Sequence, residues 1–267
     1  MKKIKIVATI EARMNSTRLP GKVMKKFGKH PMLGVLIDRL IKSKKIDDIV
    51  VATSKSKKDN KIVSFLKKKD INFYRGSENN VNLRLIKAAQ KYNAGLVVQL
   101  TADNPFVDHK IIDYMINFFL KNLGKYDYVT NCGFGDYSNS YVPLGFNAQL
   151  FLFKHLKANY KHCNKKDLRE HPSLYFYREG KRKYKLKNLP INSPKTDLKI
   201  RLTVDTTSDL KLARLVFKKL GHGKNVYFGL KDVINFFKKN KSYLKINENI
   251  IQKKVNLKWI QKINLIK

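Results

Sequence analysis

Short apolar runs alternate with amphipathic segments along the first half of the chain. Four runs rich in β-branched residues, each followed by polar residues, predict buried strands over residues 4–10, 48–54, 71–76 and 95–101. Apolar residues three and four positions apart predict helices over residues 31–44, 59–69, 79–92 and 108–122, with Asp108 as an N-cap. Because strands and helices alternate at short spacing, the pattern predicts parallel strands joined by right-handed crossovers.

The pattern is less regular in the second half. Residues 141–156 predict a strand or loop that enters a helix, and the alternating lysines of residues 181–189 predict a strand with one solvated face. Residues 198–220 predict a strand, a loop with Thr206 or Thr207 near a helix cap, and an amphipathic helix. We expect a single domain over residues 1–267, in which residues 141–190 form a substrate-side or dimerisation subregion.

Three polar clusters follow the predicted strands, at residues 11–22, 75–84 and 101–104. Ligands of parallel α/β sheets bind outside the carboxyl ends of the strands. The clusters belong to different strands, so we expect them to converge at one edge of the sheet.

The net charge of +37 is the most unusual feature of the composition and raises the question of nucleic-acid binding. Lysines account for 47 of the 57 basic residues and are scattered along the whole chain, whereas arginine is the residue preferred for bidentate recognition of bases and phosphates. We therefore interpret the charge as a solvated lysine surface and expect no specific nucleic-acid partner. A weak, salt-sensitive affinity for anionic polymers is the functional alternative.

Other sequence features indicate a reduced compartment and no membrane segment. The two cysteines, Cys132 and Cys163, do not form a disulfide framework. The first apolar run ends at Ile10, before charged residues, and is too short for a signal peptide. No run of eighteen apolar residues is present, so we expect a cytoplasmic protein without a transmembrane helix.

The loop after the first strand carries the clearest candidate chemistry. Arg13, Arg18 and Lys22 surround a bend fixed by Pro20 and Gly21. The loop is neither a Walker A sequence nor a GxGxxG fingerprint. Its cations and backbone amides suit a triphosphate. The alternative is a polar surface loop whose arginines pair with local acids, although Glu11 is the one acid nearby in the sequence.

Two aspartates lie where ligands of a divalent metal would be expected. Asp103 and Asp205 each follow an apolar run that predicts a strand. Mg²⁺ at nucleotide sites is held by one or two carboxylates together with substrate phosphates. Alternatively, Asp103 makes an Asx-turn before Pro105, and Asp205 caps the helix that follows it. Taken together with the cationic loop, the pair favours a magnesium site.

Several segments in chain order resemble the cytidylyltransferases related to spore coat polysaccharide biosynthesis protein F, which are relatives of the acylneuraminate and KDO cytidylyltransferases. These segments are EARMNSTRLPGKVM, IVVATS, YRGSENNVNLRLIKAA, QLTADNPFVD, DLREHPSLYFYRE, RLTVDTTSDL and INENI. The resemblance implies a nucleotide-diphospho-sugar transferase fold: a Rossmann-like, mixed but mostly parallel α/β sheet with helices on both faces. It also implies a reaction that joins a nucleoside triphosphate, CTP by expectation, to a sugar acid or sugar phosphate and releases pyrophosphate, with Mg²⁺ as the cofactor. Family members are often homodimers, which makes a homodimer the expectation for this chain.

The resemblance assigns roles to individual positions. It implies that Arg13, Arg18 and Lys22 act in catalysis and that Ser16 joins them at the triphosphate. It places Gly76, Ser77 and Arg84 near the base and ribose, and Asp103 and Asp205 on the metal. The sugar side would comprise Pro143, Gly145, Arg169, Glu170 and His171; for His171 a purely structural role is equally open.

Four positions depart from the family pattern. Glu11 replaces the usual glutamine and would repel a triphosphate unless Arg13 or the metal neutralises it. Asn15 replaces a glycine, and asparagine tolerates a positive φ. Asn147 and Gln149 replace acids, which suggests a more anionic acceptor, such as a sialic-acid-like nonulosonate or a sugar phosphate.

Three other functions remain open from the sequence. A glycosyltransferase of related fold would carry a close D-x-D pair, which is missing around Asp103. A lysine-rich, non-enzymatic binder of nucleic acid or anionic surfaces would lose its affinity at moderate salt. A zinc site would need ligand spacings that the histidines and the two cysteines do not show.

Overall fold

The computed structural model describes residues 3–252 apart from residues 136, 138, 195 and 222–226. Residues 253–267 of the predicted domain lie outside that range. The strands in the described part are β1 (Ile6–Glu11), β2 (Lys26–Phe27), β3 (His30–Pro31), β4 (Asp48–Ser54), β5 (Asn72–Gly76), β6 (Leu96–Thr101), β7 (Tyr128–Thr130), β8 (Gln149–Leu152) and β9 (Leu186–Asn188).

Seven of these strands form one sheet in the order β5-β4-β1-β6-β8-β7-β9, and β2 pairs with β3 as a separate ribbon. The first four strands of the sheet are parallel. Strand β8 runs antiparallel to both of its neighbours, while β9 is parallel to β7. The predicted mixed, mostly parallel α/β sheet is therefore confirmed.

Helices follow the parallel strands as the apolar spacing predicts. The described α-helices are α1 (Met32–Leu40), α2 (Asn60–Lys68), α3 (Val81–Lys91), α4 (His109–Lys121), α5 (Phe153–Asn159), α6 (Lys166–Glu170), α7 (Leu174–Tyr177), α8 (Thr207–Leu220) and α9 (Leu230–Lys239). The Asp108 side chain accepts from the Lys110 amide at the start of α4, so the predicted N-cap is confirmed. Thr206 caps α8 through a capping box with Asp209.

Both faces of the sheet are covered, which explains why the central strands are apolar without alternation. Ile6, Ala8 and Ile10 of β1 pack into the larger core with α1, α4 and α8. Val7 of the same strand points to the opposite face and packs into a second core with α3, α5 and α7. Because both faces of the sheet are closed, the carboxyl edge of the central strands is left for ligand binding.

Two strand predictions in the second half need correction. The segment over residues 198–204 forms no ladder and joins Leu144 through an isolated bridge at Arg201, although residues 200–204 are buried. Of residues 181–189, only Leu186–Asn188 forms a strand, because residues 181–183 belong to a turn closed by the Gly180 carbonyl. None of the described helices is long and apolar enough to cross a membrane.

Candidate active site

A cavity of about 380 Å³ opens at the carboxyl ends of β1 and β6. It collects residues from the loop after β1, from α3, from the turn after β6 and from the segment before α8. The predicted site residues on its wall are Arg13, Ser16, Arg18, Lys22, Arg84, Asp103, His171 and Asp205. The convergence expected from the sheet topology is therefore observed for these side chains.

The loop after β1 folds back on itself through backbone hydrogen bonds. The amide of Gly21 donates to the Met14 carbonyl over 2.8 Å, and Gly21 adopts a φ of 67°, which a glycine takes without strain. The Met14 amide donates to Asp59 at the start of α2, which ties the loop to the scaffold. Asn15 is not among the described residues with a positive φ, so replacing the usual glycine there places no strain on the loop.

Lys22 stands between the two predicted metal ligands. Its Nζ atom lies 2.9 Å from Asp103 Oδ2 and 2.9 Å from Asp205 Oδ1. Burial alone would lower the pKa of Lys22, but the two carboxylates outweigh burial and raise it. Burial likewise disfavours the Asp103 carboxylate, yet Lys22 and the Thr101 hydroxyl bring the pKa of Asp103 below its ordinary value.

The two aspartates meet because their backbones are joined. The Val204 amide donates to the Asp103 carbonyl over 2.8 Å, which brings the residue after Val204 to the end of β6. Asp205 Oδ2 accepts from Arg201, while Oδ1 faces Lys22 and lies 2.9 Å from Arg18. The ion pair of Arg18 thus joins it to a distant aspartate, which differs from the alternative interpretation of the loop, in which its arginines pair with acids close by in the sequence.

The donor set of this pair fits a small divalent cation. Each carboxylate has one oxygen fixed by the protein, on Thr101 or Arg201, and the other directed at a shared positive charge. The Lys22 ammonium thus stands in for a cation between them. No group of three or more His, Cys, Asp or Glu side chains that could hold a metal ion occurs within the described residues, so phosphate oxygens would have to complete the coordination.

Arg84 and Arg13 reach the cavity from two sides and share an anchor. Arg84 donates to the Ser77 carbonyl over 2.6 Å, and both arginines donate to the Glu78 carbonyl. Gly76 and Ser77, both described, do not line the cavity. A Cβ atom on Gly76 would lie 2.9 Å from the Arg84 side chain, so these two residues position Arg84 instead of forming the wall.

Glu11 is an acid of the cavity whose pKa is raised. It ends β1 and accepts from Gln99 Nε2 over 2.7 Å. Burial raises the pKa of Glu11 to about 7, against an ordinary value of 4.5, although Arg84 and Gln99 act in the opposite direction. Near neutral pH the side chain is therefore partly protonated, which weakens the repulsion of a triphosphate expected from the sequence.

The predicted sugar-side residues are only partly at the cavity. Glu170 and His171 line it at the end of α6, whereas Arg169, which is also described, does not and donates to the Cys163 carbonyl. Asn147 lines the cavity and accepts from the Gly145 amide. Gly145 holds a φ of 111° and packs against the backbone at Leu202, so its role is conformational.

Two residues of the cavity wall, Gln99 and Tyr137, were not predicted from the sequence. Gln99 lies on β6 and Tyr137 lies in the loop after β7, whereas Thr101, also on the cavity wall, belongs to the predicted polar cluster of residues 101–104. Gln99 could have been found, because a glutamine inside an apolar run that is covered on both faces needs a polar partner. Tyr137 gave no comparable signal, since its position depends on a loop with no periodic pattern.

Comparison with known proteins gives consistent matches over most of the chain. A family model described as cytidylyltransferase matches residues 7–250. The chain is 36% identical over 253 residues to an uncharacterized protein of Methanocaldococcus jannaschii, covering 94% of this chain and 97% of the relative. It is 30% identical to the spore coat polysaccharide biosynthesis protein SpsF of Bacillus subtilis, covering 83% of this chain and 90% of the relative.

A shorter match and a solved structure extend these similarities. A 3-deoxy-manno-octulosonate cytidylyltransferase of Trichlorobacter lovleyi is 29% identical over 124 residues, which cover 45% of this chain and 47% of the relative. The solved structure of a cytidylyltransferase from Leptospira borgpetersenii superimposes with a TM-score of 0.83 at 33% identity, covering 94% of this chain and all of that chain.

Proposed function

Because the chain belongs to the cytidylyltransferase family, we propose that it transfers a cytidylyl group from CTP to an oxygen of a sugar acid or sugar phosphate. The observation that carries this proposal is the arrangement of Lys22 between Asp103 and Asp205 at a cavity lined with arginines. A crevice with paired carboxylates and several cations has the charges needed to hold a triphosphate and a divalent ion together.

In the proposed reaction, the acceptor oxygen forms a bond to the α-phosphorus as the bond from that phosphorus to the pyrophosphate oxygen breaks. Pyrophosphate leaves, and an acceptor hydroxyl releases its proton to water. Arg13, Arg18 and Lys22 would face the negative charge that develops on the phosphoryl oxygens and on the leaving group. No residue of the chain needs to form a covalent intermediate.

Asp103 and Asp205 are the residues that would hold Mg²⁺. When bound, the ion would supply positive charge to the phosphate oxygens and polarise the attacking group. Thr101 and Arg201 keep the two carboxylates in place by holding the oxygens that face away from Lys22.

The acceptor class draws support from the names of the relatives. One relative is a 3-deoxy-manno-octulosonate cytidylyltransferase and another acts in polysaccharide biosynthesis, as their names state. We therefore propose a role in making an activated sugar for a surface polysaccharide or glycan.

A turnover screen tests the proposal. The purified protein is incubated with each nucleoside triphosphate, Mg²⁺ and single acceptors: 3-deoxy-manno-octulosonate, N-acetylneuraminate and hexose phosphates. We expect pyrophosphate release only with CTP, a product whose mass equals a cytidylylated acceptor, and loss of turnover when EDTA removes the metal. Turnover with another nucleotide, or pyrophosphate release without an acceptor, would contradict it.

A further inference from the structure

The turn after β4 carries a buried carboxylate to which the proposed reaction assigns no role. Asp59 is only 1% exposed and directly precedes α2. An aspartate at that position ordinarily caps its own helix by accepting from a backbone amide of the first turn. Asp59 makes no such capping bond with the described residues of α2, so its carboxylate is committed elsewhere.

The two oxygens of Asp59 contact different parts of the molecule. Oδ2 accepts from the Thr53 hydroxyl and from both the amide and the hydroxyl of Ser54, all at the end of β4. Oδ1 accepts from the Met14 amide, in the loop after β1, over 2.8 Å. A buried polar group with all of these partners is rigid. The end of β4 therefore fixes the carboxylate, and the carboxylate fixes the loop.

Arg13 lies between two backbone attachments to the region of β4. Before it, the Ala12 amide donates to the Ala52 carbonyl over 3.2 Å. After it, the Met14 amide donates to Asp59. Because the residues on both sides are held, the backbone of Arg13 has a fixed position from which its side chain reaches the cavity wall.

Met14 also holds the far end of the loop. Its carbonyl oxygen accepts from the Gly21 amide over 2.8 Å, and Lys22 is the next residue. Met14 therefore links Asp59 to the lysine that stands between the two carboxylates at the strand ends. If the bond from Met14 to Asp59 is lost, Arg13 and Lys22 both lose a restraint.

We propose that Asp59 is a positioning residue for nucleotide binding, which acts through Met14 to hold Arg13 and Lys22 in the arrangement that receives the triphosphate. Asp59 itself does not line the cavity, so it acts through the loop and touches no substrate. The inference depends on the proposed function and makes it more specific. A loop that is already in place avoids the cost of ordering its cations when the nucleotide binds, so the contribution of Asp59 is measured as affinity for CTP.

The test uses a variant that affects the two oxygens of Asp59 differently. In Asp59→Asn the single amide oxygen faces the three donors at the end of β4, so the NH2 group faces the Met14 amide and the loop loses its acceptor. Thr53→Val is the matched control, because it removes one donor from Oδ2 and leaves the bond from Met14 to Oδ1. Urea denaturation compares the stability of both variants with wild type, and calorimetry gives the Kd for CTP.

Loss of one hydrogen bond to a charged group changes an equilibrium on the order of tenfold. We expect the Kd for CTP to rise by that factor in Asp59→Asn and to stay within twofold of wild type in Thr53→Val, although both variants unfold at lower urea concentrations. An unchanged Kd in Asp59→Asn, or an equal rise in both variants, overturns the inference. Failure of wild type to bind CTP instead contradicts the proposed function, which separates the two results.

Hydrogen exchange in the wild-type protein tests the contact even if Asp59→Asn does not fold. Before any nucleotide is added, the Met14 amide should exchange more slowly than the amide of Asn15 by about tenfold or more, because Asp59 accepts its hydrogen. Asn15 is the internal control, since it is exposed and its amide donates no hydrogen bond within the described chain. Equal exchange of the two amides overturns the inference.

Discussion

Among single residues, Asp103 is the sharpest test of the metal site. Asp103→Asn keeps the hydrogen bond from Thr101 within reach but removes the charge that faces Lys22. We expect pyrophosphate release to fall below detection while the circular dichroism spectrum stays that of wild type, because a neutral amide is a weak ligand for Mg²⁺. Asp70→Asn, at an exposed turn, is the matched control. Turnover close to wild type in Asp103→Asn would refute the metal role.

Lys22 is predicted to contribute through its charge. Lys22→Ala removes the ammonium that both carboxylates share and leaves two negative groups facing each other. Loss of one preorganised donor to a developing negative charge lowers kcat on the order of 10²-fold. Lys29→Ala changes an exposed lysine and should leave kcat as in wild type. A decrease of less than threefold in Lys22→Ala would remove this lysine from the catalytic group.

Glu11 gives the site a dependence of stability on pH. Since its pKa is about 7 in the folded protein and 4.5 in a model peptide, the folded chain retains a proton that the unfolded chain loses. The stabilising contribution is complete below pH 4.5 and is lost as the pH rises through about 7. At pH 8 wild type must bury a charged Glu11 carboxylate, whereas Glu11→Gln buries a neutral amide. The variant should therefore exceed wild type in free energy of unfolding by roughly 1–3 kcal/mol at pH 8.

Urea denaturation at pH 5 and pH 8 measures the difference in free energy of unfolding between Glu11→Gln and wild type. The excess stability of Glu11→Gln should shrink toward pH 5. Glu248→Gln, at an exposed position, controls for the general effect of losing a carboxylate. If the stability of Glu11→Gln relative to wild type instead increases toward acidic pH, the predicted direction of the Glu11 pKa shift is wrong.

At the scale of elements, the segment that carries Asp205 depends on a glycine. Gly145 holds a φ of 111°, and a Cβ atom there would lie 2.7 Å from the Leu202 carbonyl carbon. Gly145→Ala therefore combines an unfavourable backbone conformation with a backbone clash, and we expect a loss of roughly 2–4 kcal/mol in the free energy of unfolding. Gly124→Ala has a φ of 83° but no atom within 4 Å, and should lose only about 1 kcal/mol. Equal losses would mean that the close approach to Leu202 is unimportant.

The strands and helices that the sequence could predict are those with a local periodic pattern. The parallel strands β1, β4, β5 and β6 and helices α1 to α4 lie close to their predicted positions, because local periodicity determines them. Strand β7 has three residues, and residues 200–204 are buried without forming a ladder, so neither depends on a local pattern. Their conformations are set by contacts with distant segments, such as the hydrogen bond from Leu202 to the Leu144 carbonyl.

At the scale of the whole molecule, the site is assembled over long sequence separations. Lys22 and Asp205 are 183 positions apart, yet the rule that ligands bind at the carboxyl ends of parallel strands predicted that such residues converge. The rule does not say which side chain of a cluster faces inward. Gly76, Ser77 and Arg169 were selected by motif, but within the described structure they support neighbouring residues and do not line the cavity.

The large net positive charge is also a property of the whole molecule, and most of the described lysines that carry it lie outside the cavity. Among the described residues, Lys22 is the one lysine on the cavity wall, so any attraction of anionic polymers to the other described lysines acts outside the cavity. We therefore expect single-stranded DNA to bind weakly at low salt and to leave the KM for CTP unchanged, with binding lost by at least tenfold between 50 and 200 mM salt (roughly the loss for a few phosphate contacts). The KM for CTP is measured with and without DNA at both salt concentrations. If DNA still competes with CTP at the higher salt concentration, the lysine surface and the cavity bind DNA as one site, and the prediction is wrong.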